Sequence, residues 1–245
     1  MLVKVKGIIL SETNYSESSK ILNVLTDTYG LLGMMAKGAR NIKSKLHVAN
    51  KMIYGEFSIN YKESGLSTIS EINIINSFKN INFDLKKASY AFYIIDLVKD
   101  VLKENNNKEI FTLLEQALIK INEGLNPLFI SNIVELQLLK YLGVSIELNH
   151  CIICGKKDNI KTIDINLGGL VCSNCYQDSF LLNEKTIKLL RLMYYVDLEK
   201  LDNINISDEN LIKEIDDFIK EYYSRYTGIF LKNKDNIKKI LVNLC

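Results

Sequence analysis

The sequence predicts an α+β protein: an N-terminal five-stranded OB-like β-barrel over residues 1–80, then a helical domain over residues 81–245 carrying a four-cysteine zinc ribbon at 149–177. Three observations lead there. Apolar residues recur at strand-like spacing in the first part, they recur at helical spacing in the second, and four of the five cysteines stand in two CxxC pairs. A chain of 245 residues, 47% of them hydrophobic, can bury one sizeable core or two small ones.

The strands come first. Val3 to Leu10, Ile21 to Thr26, Leu31 to Ala36, Gly55 to Tyr61 and Ser67 to Ile75 are short runs rich in Val, Ile, Leu, Tyr and Thr, with turn-forming Asn, Asp, Gly and Ser between several of them. Five short strands in this length suit a small barrel. The OB-fold is the commonest five-stranded form, with loops and a face suited to single-stranded nucleic acid, and an SH3-like barrel fits the same count. Tyr15, Tyr54, Phe57 and Tyr61 are candidates for stacking on bases, although aromatics at strand spacing also build cores.

After Asn80 the period becomes helical. Ala91, Ile94, Ile95, Val98, Val101 and Leu102 fall on one face, as do Ile130, Ile133, Val134, Leu138, Tyr141 and Leu142 in a segment opened by Pro127, which is tolerated at a helix start. Leu211, Ile212, Ile215, Phe218, Ile219, Tyr222 and Tyr226 make a third stripe. No repeat or low-complexity linker interrupts the chain, so the boundary near residue 80 rests on the change of period. Asp208 with Glu209 and Asp216 with Asp217 are expected on a solvated face, because adjacent helical residues point in different directions.

Cys151, Cys154, Cys172 and Cys175 give C-x2-C-x17-C-x2-C. Two residues between cysteines let a tight turn aim both sulfurs at one point, and two such turns supply the four thiolates of a tetrahedral zinc site. Gly155 follows the first pair, and Gly168 and Gly169 precede the second, where the chain must reverse. A structural Zn2+ site is favoured over a redox dithiol, for which neither pair has thioredoxin-like surroundings, and over inert buried thiols. Four protein ligands leave no position for water, which disfavours a catalytic metal. His150 is expected to be a neighbour, and Cys245 an incidental thiol.

The net charge of +2 conceals an asymmetry. Residues 1–80 hold ten Lys and Arg against six carboxylates, and no Asp or Glu occurs between Asp27 and Glu56, where Lys37, Arg40, Lys43, Lys45 and Lys51 all lie. Local unpaired positive charge suits a polyanion, since each neutralised phosphate releases counterions. A solvated basic loop is the plainer alternative. Lys232, Lys234, Lys238 and Lys239 form a second basic cluster, open to the same two readings.

Catalytic apparatus is not apparent. Two histidines, no nucleophile elbow and no His-x-Glu before a CxxC leave hydrolase and deaminase chemistry unsupported. Gly33 to Gly38 lacks the Lys-Ser/Thr that a P-loop needs. No run reaches the roughly 18 to 20 apolar residues of a membrane helix, and the opening apolar stretch is too short for a secretory signal, so a cytoplasmic, non-membrane protein is expected.

The stretch from Gly30 to Lys45, GLLGMMAKGARNIKSK, resembles the N-terminal segment of RecO proteins, in which a strand runs into a basic K-G-A-R-x-x-K-S loop. Tyr15, Glu17, Ser18, Leu25, Thr26 and Gly30 look like that family's opening pattern, and Leu142-Gly143 followed by the two cysteine pairs keeps its order. The resemblance implies an OB domain, a helical domain with a zinc finger, and binding of single- and double-stranded DNA. It further implies strand annealing, partnership with RecR and with the C-terminal tail of single-stranded DNA-binding protein, and RecA loading in DNA repair and recombination, in the cytoplasm at the nucleoid. Matched onto this chain, it makes Lys37, Arg40, Lys43 and Lys45 the expected phosphate contacts. Asn41 stands where the family often has a second Arg, and Lys51 to Tyr54 replaces its frequent Gln-Pro-Phe. The alternative is a zinc-ribbon RNA- or polymerase-binding module without annealing activity.

Overall fold

A computed structural model describes residues 1–104, 106–177, 181–202, 208–229, 231 and 234–237. Five strands form a closed barrel in the order β1-β2-β3-β5-β4: β1 Leu2–Tyr15, β2 Ser19–Thr26, β3 Gly30–Ala36, β4 Tyr54–Asn60 and β5 Ser67–Asn76. The α-helices are α1 Lys79–Asn82, α2 Leu85–Glu104, α3 Glu109–Glu123, α4 Pro127–Leu138, α5 Glu184–Tyr195 and α6 Glu209–Tyr226. A two-stranded antiparallel sheet, β6 Ile160–Asp164 and β7 Gly169–Cys172, lies between α4 and α5 in sequence.

The long β1 closes the barrel by changing partners. Leu2 to Ile8 pairs with β4, and Gly7 to Tyr15 pairs with β2, with the register shifting between Ile9 and Ser11. That bulge explains why Ile8, Ile9 and Leu10 are all fully buried despite the strand period of two. It also carries β1 five residues beyond Leu10, where Glu12 to Tyr15 form a solvated hairpin with β2. Gly7 sits where the strands come closest: a Cβ there would lie 2.6 Å from a Val24 methyl. The barrel interior is filled by Ile9, Leu22, Val24, Met34, Phe57 and Ile59. Phe57 and Tyr54 are therefore core residues and do not offer a stacking face.

Two compact units divide the chain, Met1–Gly124 and Leu125–Cys245. The period changes between Asn76 and Lys79, yet α1 to α3 belong to the same unit as the barrel: α2 and α3 pack on β1, and α1 packs on those two helices. The Tyr54 ring meets Phe111 of α3 edge-on, with centroids 6.1 Å apart, and Lys51 reaches Asp96 of α2 at 2.7 Å. Burial and a hydrogen bond to Glu115 push the Tyr54 phenol well above its ordinary pKa. The helical stripe of α2 is buried as its spacing predicts, from Ala91 to Leu102.

In the second unit α4 is buried nearly all round, capped by Asn126, whose side chain accepts from Leu128 and Phe129 N–H. It ends at Leu138, so Tyr141 and Leu142 fall in the following turn. Asp216 is also buried, contrary to a solvated face. The Lys234 ammonium lies 2.5 Å from Asp216, 2.6 and 2.7 Å from the two Glu135 oxygens and 2.6 Å from Asn132 Oδ1. Lys234 is thus a buried counter-ion, which corrects its reading as part of an exposed basic end; Lys232, Lys238, Lys239 and Cys245 lie outside the described residues. No described helix is long and apolar enough to cross a membrane.

Candidate metal centre and nucleic-acid interface

The ribbon begins with two knuckles. Gly155, at φ +74, turns the chain after Cys154 so that its N–H reaches Cys151 O at 2.8 Å, while Cys151 N–H reaches Lys156 O at 2.7 Å. In the second knuckle Cys175 N–H reaches Cys172 O at 3.0 Å. Between them, the turn of the β6-β7 hairpin is set by Asp164, whose carboxylate accepts from Asn166 and Leu167 N–H, and by Gly168 at φ +71. Gly169 is needed for a different reason. The Glu147 segment passes so close that a Cβ at 169 would meet Glu147 Cβ at 2.8 Å. Ile152 N–H donates to Leu170 O at 2.8 Å and ties the first knuckle to β7.

These turns bring the four sulfurs of Cys151, Cys154, Cys172 and Cys175 within 4.8 Å of one another, with Cys154 and Cys172 3.7 Å apart. Tetrahedral ligands at about 2.3 Å from a zinc ion stand about 3.8 Å from each other, so the cluster has the size and donor set of such a site. Burial pushes the Cys151 thiol up, but N–H groups of Cys172, Cys154 and Ile153 outweigh it and bring it down to about 6. These N–H groups favour the thiolate form that a cation takes up. Cys175 is pushed up to about 12 by hydrogen bonds with Cys154 and Cys172 and by its burial. His150 turns away from the sulfurs to Glu147, 3.2 Å distant. From α6, Tyr226 donates to the carbonyls of Ile165 and Asn166 in the hairpin turn, and Tyr222 donates to Val144 O at 3.1 Å. These two tyrosines position the ribbon, and the α6 stripe marks them only as core.

The basic loop between β3 and β4 is pinned from inside. Ala39, Leu46 and Ala49 join the barrel core, and Ser44 caps a short 3-10 helix, Lys45–Val48, by accepting from Leu46 N–H at 3.1 Å. With those residues turned inward, Lys37, Arg40, Lys43 and Lys45 are all exposed on the outside of the same loop. Arg40 is braced against the β1-β2 turn. Its backbone N–H donates to Ser18 O and its guanidinium to Ser16 O, both at 2.8 Å, and most of its donors are left for another partner. Of the aromatic candidates, Tyr15 is exposed, and Tyr61 is stacked on Tyr29 with centroids 4.4 Å apart. The carbonyls that hold Arg40 and the apolar plugs of the loop are invisible to a reading of charge alone.

Comparison with known proteins finds relatives over nearly the whole chain. The family described as Recombination protein O N terminal matches residues 1–78, and Recombination protein O C terminal matches residues 82–235. The chain is 35% identical to a DNA repair protein RecO of Bacillus subtilis (strain 168), covering 96% of this chain and 93% of that one. It is 34% identical to one of Bacillus pumilus (strain SAFR-032), covering 98% of each, and 30% identical to one of Listeria monocytogenes, covering 97% and 94%.

Proposed function

The chain belongs to the RecO family of DNA repair proteins, and from that membership we propose that it is a non-enzymatic recombination mediator. It binds single- and double-stranded DNA through Lys37, Arg40, Lys43 and Lys45. It anneals complementary strands and acts with RecR, and with the C-terminal tail of single-stranded DNA-binding protein, to place RecA on single-stranded DNA. Its setting is the cytoplasm, at the nucleoid. A single Zn2+ on Cys151, Cys154, Cys172 and Cys175 holds the ribbon and has no role in bond-making, because four thiolates fill its coordination.

The observation that carries this reading is the loop itself. Four cations stand exposed on a segment with no carboxylate between Asp27 and Glu56, and the loop is anchored by apolar residues and by Arg40's own hydrogen bonds. Phosphate contacts of this kind give affinity without sequence choice, which is what a protein acting on any gap or tail requires. Annealing of two complementary fluorophore-labelled oligonucleotides, followed without nucleotide, tests the proposal. The full chain accelerates annealing, and changing the four cations together to Ala lowers the rate at least tenfold. Annealing no faster than in buffer, or binding that prefers RNA, contradicts the mediator reading.

A further inference from the structure

A second basic surface lies in the other unit, on α5. The buried side of this helix is Thr186, Ile187, Leu190 and Met193. At 100° per residue the opposite sector holds Lys185, Lys188, Arg191, Leu192 and Tyr195, all exposed, with Glu184 at its start. The three cations follow one another at about 4.5 Å along the axis, and the stripe spans about 15 Å to Tyr195. Lys188 pairs with Glu184 at 2.6 Å, whereas Lys185 and Arg191 make no ion pair with any described residue. The stripe ends in aromatic surface. Tyr195 and Leu192 are 53% and 48% exposed, and Tyr194 meets Tyr195 edge-on with centroids 5.0 Å apart. Gln137 fixes this end of the helix by donating to Met193 O and Val196 O at 3.2 and 2.8 Å.

The chemistry of the stripe selects its occupant. Cations in a row match a polyanion, and a braced aromatic pair at their end offers a π-face to a base, the combination that holds single-stranded nucleic acid without reading its sequence. A lipid surface does not fit, because the apolar side of α5 is already packed in the core and leaves no face to enter a bilayer. An acidic cleft of about 340 Å³, lined by Asp164, Glu214, Asp217 and Glu221 together with Arg225, adjoins the buried side of α5, where Thr186 donates to Glu214, and not its cationic face. Lys161, exposed on β6 against which α5 packs, adds a further cation on the ribbon side.

We propose that the exposed face of α5, Lys185, Lys188 and Arg191 with Tyr195, is a second single-strand binding site, so that one chain holds two strands, one on the β3-β4 loop and one on α5. The inference rests on the DNA-binding reading above and gives annealing a physical basis: both partners are concentrated on a single molecule, and their encounter becomes intramolecular.

Stoichiometric titration of the 245-residue chain into labelled oligo-dT at low salt, followed by a salt series, tests it. Wild type takes up two short strands per chain. K185A/K188A/R191A takes up one, the summed log-log salt slope of the two binding steps is shallower by about 2, as the loss of three phosphate contacts requires, while that of the loop site is unchanged, and the variant's annealing rate falls at least tenfold. All three residues are exposed, and an unchanged circular dichroism spectrum and melting curve show that the fold survives. Tyr195→Ala weakens binding at the second site by at least about fivefold with the salt slope unchanged, the signature of a lost stack. A triple variant that keeps two strands, the wild-type slope and the annealing rate overturns the α5 site while leaving the mediator reading intact. Wild type that binds no single strand at all overturns both, and is distinguished by the failure of the unmodified protein.

Discussion

One ammonium group, Lys234, ties the C-terminal segment to α4 and α6 through Glu135, Asn132 and Asp216, and all of these are buried. Removing one partner of a buried ion network leaves uncompensated charge, so Lys234→Ala is expected to destabilise the second unit by about 3–5 kcal/mol. Urea unfolding checks this; an unchanged midpoint contradicts it. The sequence shows Lys234 only as one lysine among several, because its partners Asn132, Glu135 and Asp216 lie 102, 99 and 18 positions away. The cysteines are legible for the opposite reason: their geometry is made by turns two residues long, and the glycines that permit those turns stand beside them. Acid should act on the same centre. In the metal-free ribbon Cys151 is held at about 6 against an ordinary 9.0. A thiol lowered in the folded state contributes stability that is present above its unfolded pKa and is lost as the pH falls through its folded one. The metal-free ribbon is therefore expected to loosen between about pH 9 and pH 6, and protons also compete for the ligand sulfurs. A chromogenic chelator should register zinc release that increases as the pH is lowered below neutrality, and release independent of pH would count against four-thiolate ligation.

At the scale of elements, the β3-β4 loop shows how a barrel displays charge. Its apolar residues are spent inside the barrel end, and the remaining positions must face out. Ser44→Ala removes the cap from the short 3-10 helix at a cost of about 1 kcal/mol. The loop keeps all its charges, so the expected result is single-strand affinity lowered severalfold with the salt slope unchanged; a shallower slope would mean that Ser44 itself supports phosphate contacts. The strands were legible to within a residue or two at most ends because their apolar runs are short and bounded by turn residues. The C-terminal part of β1 was not, since Glu12, Thr13 and Asn14 carry no apolar signal and depend on pairing with β2. α5 is hidden similarly, with Thr186 on its buried side and Leu192 and Tyr195 on its exposed one. The aromatic positions divide by tertiary packing, Tyr54 and Phe57 inside and Tyr15 outside, a choice that strand spacing cannot make.

For the molecule as a whole, the period of the sequence and the packing of the chain set different boundaries. Helices α1 to α3 complete the barrel unit, and without them Tyr54 loses Phe111 and Lys51 loses Asp96. A fragment of residues 1–124 is therefore expected to melt cooperatively, and one of residues 1–80 to melt broadly or aggregate, as circular dichroism would show; equal cooperativity would place the folding boundary near residue 80. The two units divide the chemistry as they divide the chain, with the braced cationic loop in one and the four-sulfur ribbon in the other. The account depends most on that loop being the phosphate-binding surface. Fluorescence anisotropy of labelled single-stranded DNA across a salt series, with the full chain and its K37A/R40A/K43A/K45A variant in parallel, measures this directly. Binding by the wild-type chain with a negative log-log salt slope, and loss in the variant of both affinity and about 3 units of that slope, is the predicted result. A folded variant that binds with wild-type affinity and slope would contradict it.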